Sequence, residues 1–120
     1  MKKIKINTMT FLDNIKEIDE RDIEGTITNN VITYFEQNKT KVSLTIKKDI
    51  VKLIRENNEY IISIGFSKGK LTKSSIFLKE KGTVYQEVKT KEVLIKSNKI
   101  EIKYEIENQN IEYYLNYKEV

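Results

Sequence analysis

The chain has no cysteine and no histidine among its 120 residues. Without cysteine, neither a disulfide nor a thiolate metal site is available, and a reducing compartment is the natural setting. Without histidine, the commonest general base and the commonest neutral metal ligand are both missing, so any chemistry falls to carboxylates, lysines, tyrosines and hydroxyls. Only four glycines occur, and they are scattered, which excludes a glycine-rich phosphate loop. No metal-ligand cluster stands out, and no cofactor is expected. The opening stretch "MKKIKINTMTFLDN" carries charges but no apolar run of the length a signal peptide or membrane span needs, so a cytoplasmic protein with no membrane partner is expected.

Alanine and proline are absent as well, while Ile, Lys and Asn together supply 50 of the 120 residues. That bias is the one an AT-rich coding sequence imposes. It bears on the net charge of +4. The excess is uneven, since the stretch from Lys68 to Lys103 holds ten Lys against four Glu. Solvated lysines on outward strand faces account for it more simply than a nucleic-acid groove does, and no nucleic-acid partner is expected. The length suits one domain with one core.

What is present is alternation. Ile100, Ile102, Tyr104 and Ile106 are separated by Glu101, Lys103 and Glu105, the pattern of a half-buried strand. The stretch "ENQN" at 107–110 then turns the chain into Ile111, Tyr113, Leu115 and Tyr117, which predicts a β-hairpin with Tyr113 and Tyr117 buried and Tyr114 outside. Val42, Leu44 and Ile46 form another strand, reversed by "KKD" into Ile50 to Arg55. "ENNE" leads into Tyr60, Ile62, Ile64 and Phe66, "SKGK" into Leu71 to Leu78, and "KEKG" into a long strand in which Val84, Gln86, Val88 and Thr90 share a face. Loops this short join antiparallel neighbours. The expectation is an all-β, single-domain, antiparallel up-and-down barrel spanning 1–120 with about eight or nine strands, closed because open edges invite aggregation. Ile4 and Ile6 begin a strand, whereas Phe11, Ile15 and Ile18 have helical spacing, so a turn or two of helix is expected before Asp22, acting as a plug or flap over one barrel end.

A set of ordered segments resembles a known family. "VITYFEQ" at 31–37, "VKLIREN" at 51–57, Phe77 followed by "KEKG" ending at Gly82, Thr90 eight residues later, and "IEIKYEI" at 100–106 are similar in order and spacing to the YwiB-like proteins, small uncharacterised bacterial proteins of a domain-of-unknown-function family. The resemblance covers roughly residues 22–118. It implies a calycin-type, lipocalin-like barrel, and it marks Tyr34, Glu36, Arg55, Gly82, Thr90 and Tyr104; it carries no established activity. Phe77 stands where the family often has Tyr, and Asn57 stands near a turn where the family commonly has Gly, a substitution tolerable because Asn accepts positive φ.

The candidate site follows from strand register. The chain uses Lys twenty times and Arg twice, and Arg55 falls on the same face as Val51 and Leu53. Tyr34 and Glu36 share a face with Ile32, Thr90 with Val88, and Tyr104 with Ile102. If these faces point inward, one guanidinium, one carboxylate, two phenols and a hydroxyl meet in an apolar lumen, where a lone charge is prohibitively costly. Arg55 then has a partner, either internal (Glu36, or the ring of Tyr34 or Tyr104) or external, as the carboxylate or phosphate of a ligand held by the guanidinium fork. The expected function is binding of a small amphipathic anionic ligand by Arg55, Tyr34, Glu36, Thr90 and Tyr104. The alternative is a protein-interaction or structural module whose barrel is filled by side chains. No catalytic residue is assigned: Glu36 and Glu87 offer an acid–base pair only if they meet, and fourteen glutamates make chance pairs plentiful.

Overall fold

The computed structural model describes residues 1–13, 15–36 and 39–120, the side chains of 15–21 excepted. Strands form wherever the apolar residues alternate: β1 (Lys2–Leu12), β2 (Ile15–Thr28), β3 (Val31–Phe35), β4 (Lys41–Lys47), β5 (Ile50–Glu56), β6 (Tyr60–Ser67), β7 (Leu71–Leu78), β8 (Gly82–Lys96), β9 (Lys99–Ile106) and β10 (Gln109–Glu119). Each pairs antiparallel with its sequence neighbours, and β1 pairs with β10 from Ile4↔Glu119 to Leu12↔Ile111. The barrel is therefore closed, with ten strands where the alternation predicts eight or nine. Because the order is up-and-down, the β1–β2, β3–β4, β5–β6, β7–β8 and β9–β10 turns gather at one end. The termini and the other turns occupy the opposite end.

The extra strand length comes from the segment expected to be helical. β1 continues through Phe11 to Leu12, and β2 begins at Ile15. Among the described residues there, the chain is strand, and no helix forms. Three apolar residues at helical spacing are a weak signal, and the ladder from Lys2↔Ile27 to Leu12↔Ile15 supplies more backbone hydrogen bonds than a turn or two of helix could. The register shifts between Thr10↔Asp19 and Leu12↔Ile15, where β2 takes up two more residues than β1. The Phe11 ring faces outward and meets Tyr114 edge-on, with centroids 5.7 Å apart.

Inward positions follow the period of two. Ile4, Ile6, Ile32, Val42, Leu44, Val51, Phe66, Val88, Ile100, Ile102 and Leu115 are all but sealed from solvent. A ten-stranded lumen is wider than an eight-stranded one, and the rings of Tyr34, Phe66, Tyr104 and Tyr113 help to fill it. Gly25 is required where β2 crosses this core: a Cβ there would lie 2.6 Å from the Thr33 carbonyl oxygen and 2.7 Å from Ile6 Cδ1. Tyr113 is buried, Tyr117 half-buried, and Tyr114 packs on the outside, as the hairpin pattern predicts.

Two features of β8 escape a simple alternation. A bulge at Lys91 shifts the register between Thr90↔Tyr104 and Glu92↔Lys103, so even residues face inward before it and the odd residues Val93 and Ile95 after it. The first half, Gly82 to Val88, pairs with β7 but projects past the end of β9. Val84 shares the lumen face yet is 51% exposed for that reason. Asn57 is not among the positive-φ residues. It shapes its turn by accepting hydrogen bonds at Oδ1 from the backbone N–H groups of Glu59 and Tyr60, at 2.8 and 3.1 Å.

Candidate functional site at the Arg55 end of the barrel

The ladder puts Val42, Arg55, Ile62, Ile76 and Val84 in one row across β4 to β8. Val42 is buried on the lumen face, so Arg55 is on the lumen face too, near the end that collects the β3–β4 and β5–β6 turns. Its Nη2 donates to Glu36 Oε2 at 3.0 Å, with side-chain exposures of 35% for Arg55 and 14% for Glu36. Glu36 is held there by its backbone, since its N–H donates to the Thr40 carbonyl at 2.8 Å across the β3–β4 turn. The internal partner proposed from register is thus the one formed. The pair brings one positive and one negative charge together, and the remaining guanidinium N–H groups keep their donor capacity.

Around this pair stand phenols and a hydroxyl. Tyr34 and Tyr113 meet hydroxyl to hydroxyl at 3.1 Å in the interior. Burial pushes the Tyr113 phenol well above its ordinary value, Tyr34 adds to the rise by charge and by their hydrogen bond, and Arg55 opposes it. Burial likewise raises Tyr104, against the pull of Arg55. These phenols therefore stay neutral, as hydrogen-bonding groups and not as phenolate nucleophiles. The Tyr104 ring rests 4.7 Å, centroid to centroid, from Phe66. Thr90 is the cross-strand neighbour of Tyr104. Among the described residues, Thr90 Oγ1 and Arg55 Nε are the buried side-chain polar atoms left without a hydrogen-bond partner.

All five residues singled out by register face the lumen: Arg55 and Glu36 are in direct contact at this end, Tyr104 lies within the field of Arg55, Thr90 stands beside Tyr104 with its backbone bonded to the β6–β7 turn, and Tyr34 meets Tyr113. Tyr113 is the member that register alone missed. Alternation along β10 marks it as inward, but only closure of the barrel carries it across the lumen to Tyr34. Glu87 is exposed on the outer face, so it cannot meet Glu36, and that acid–base pair does not form. Phe77 is also outward, 45% exposed, so the tyrosine hydroxyl it lacks would not have entered this lumen. No group of three or more acidic residues able to hold a metal occurs among the described residues. A groove of about 710 Å³ lies elsewhere, on the outside of β2, β1 and β10, where Lys5, Asp22, Glu24 and Lys118 mix both signs of charge; it offers no single chemistry and does not touch Arg55.

This barrel is similar to the crystal structure of the ywiB protein from Bacillus subtilis. The TM-score is 0.77 at 15% identity, covering 99% of this chain and 92% of that one, which establishes a YwiB-like fold. No family model and no curated protein matches the chain. Among the described residues, no helix is long and apolar enough to cross a membrane.

Proposed function

We infer that the barrel binds a small amphipathic anionic ligand at its Arg55 end. The observation that carries this reading is the pair of orphaned polar atoms flanking Tyr104: a buried guanidinium N–H at Arg55 Nε and a buried hydroxyl at Thr90 Oγ1. Leaving such groups unpaired costs about 1–3 kcal/mol each, and an oxygen of a carboxylate or phosphate is the acceptor that the Arg55 Nε–H lacks. An arginine can hold a second acceptor while Glu36 retains Nη2, because its fork carries five N–H donors. Ile62 and Ile76 are half-buried and Val84 is half-exposed in the row beside Arg55. They supply an apolar lip for the rest of the molecule.

A second reading, an interaction or structural module without a ligand, is favoured by the internal Arg55–Glu36 pair and by a lumen centre already filled with side chains. Two finer expectations accompany both readings: kinship with the YwiB-like family and its calycin-type barrel, supported by the likeness of fold, and a cytoplasmic location, motivated by composition. Native mass spectrometry of the purified protein, followed by thermal melts of wild type and Arg55→Met with fatty acids and phosphorylated metabolites, separates the two functions. A ligand that raises the wild-type midpoint and leaves the mutant unmoved supports binding at Arg55. If nothing co-purifies and no compound moves the wild type, the ligand reading is overturned.

A further inference from the structure

The first half of β8 carries an open backbone edge, and its chemistry is legible from two hydrogen bonds. Thr90 donates its N–H to the Lys70 carbonyl at 3.1 Å and accepts from Gly69 N–H at 2.9 Å, so both of its backbone groups face β7. Residues two apart repeat that orientation, which aims Val84, Gln86 and Val88 at β7 and Thr83, Tyr85 and Glu87 the other way. On that other side β9 pairs with β8 only from Lys89 onward. The β9–β10 turn ends beside Gln86, whose Nε2 donates to Glu107 Oε1 at 2.9 Å. Beyond it, among the described residues, no strand lies beside the N–H and C=O groups of Thr83 and Tyr85. Val84 and Tyr85 are 51% and 64% exposed, and a groove of about 430 Å³ bounded by Tyr85, Gln86, Glu105 and Glu107 runs along the edge.

We propose that this edge pairs with the same edge of a second copy of the chain, joining two barrels through antiparallel β8 strands. The residue pattern is self-complementary in one register. A two-fold axis at Val84 sets Thr83 opposite the partner's Tyr85 and Tyr85 opposite the partner's Thr83, so that the outward-aimed backbone groups of both strands meet. It also brings Lys81, in the turn that precedes β8, toward the partner's Glu87, and the symmetry makes that ion pair twice. Val84 packs on its own copy. Centring the axis on Tyr85 instead moves Lys81 toward the partner's Lys89, a like charge whose backbone edge β9 already occupies, and leaves Glu87 facing Thr83. Charge and the end of the β9 ladder therefore both select the Val84 register. Phe77, exposed and directly across from Thr83, extends the apolar cover on the outer face of the joined sheet. This association needs no ligand at Arg55, whose guanidinium lies on the inside, although Val84 belongs both to the joined edge and to the row that holds Arg55.

Sedimentation velocity over a concentration series tests it. Wild type should show a concentration-dependent dimer. Lys81→Glu should weaken the dimer by about tenfold or more, and the swapped double variant Lys81→Glu/Glu87→Lys should restore it to near the wild-type constant. Tyr85→Pro removes one open-edge N–H without touching the β7 ladder, and it should yield a monomer whose melting midpoint stays near that of wild type. A wild type that remains monomeric at about 200 μM overturns the proposal. So does a dimer that neither Lys81→Glu nor Tyr85→Pro weakens.

Discussion

Replacing Arg55 with Met keeps the stem volume and removes the guanidinium, so the carboxylate of Glu36, only 14% exposed, loses the partner now 3.0 Å away. Breaking a fully buried pair costs about 3–5 kcal/mol, whereas an exposed pair is worth about 0–1 kcal/mol. With Arg55 itself 35% exposed, solvent screens part of the loss, and a value of about 2 kcal/mol lies between those bounds. For a domain of this size that corresponds to about 8 °C in Tm. Replacing both partners, Arg55→Met with Glu36→Gln, removes the charge that lost this ion pair and should recover more than half of the loss. Calorimetry of the three variants is the assay, read as a double-mutant cycle. An Arg55→Met melt within about 2 °C of wild type, or a double variant no better than the single, would refute the account of this pair.

Ile102→Asp should unfold the domain by placing a bare charge at a fully buried position, whereas Lys103→Asp on the outer face should be tolerated; circular dichroism melts distinguish them, and equal tolerance would contradict the register. Gly25→Ala should cost about 1–3 kcal/mol, because the new methyl collides with the Thr33 carbonyl and Ile6 Cδ1, and denaturant titration reads it. Tyr104 and Tyr113 are raised above the ordinary value of 10.0 in the folded state. The unfolded chain therefore loses those protons first, and stability should fall as pH climbs through that value, with the two phenols ionising at higher pH in the folded protein than in the unfolded chain in an ultraviolet titration. Binding to generic RNA or DNA should be weak and should vanish at moderate salt, as fluorescence anisotropy would report; saturable binding that survives physiological salt would contradict the reading of the lysines as a solvated face.

Alternation of apolar and polar residues made β3 to β10 legible, and with them the faces of Tyr34, Arg55, Thr90 and Tyr104, because side-chain direction in a strand depends only on the residue's own position along it. Short polar stretches likewise marked the hairpins. The same local reasoning misjudged Phe11, Ile15 and Ile18, where a spacing suggestive of helix yielded to the hairpin that closes the barrel. It could not anticipate the bulge at Lys91, which moves the inward set from even to odd residues, nor the early end of β9, which leaves Val84 on the lumen face but in solvent. Contacts across the lumen lay further out of reach. Register offered Glu36, 19 residues away, as one candidate partner of Arg55, but it gave no sign that Tyr34 and Tyr113, 79 apart, would meet. The sequence by itself determined which side chains point inward, a property with a period of two residues. Which of them meet was decided by closure of β1 on β10 and by the stagger of the strands, which no local period encodes.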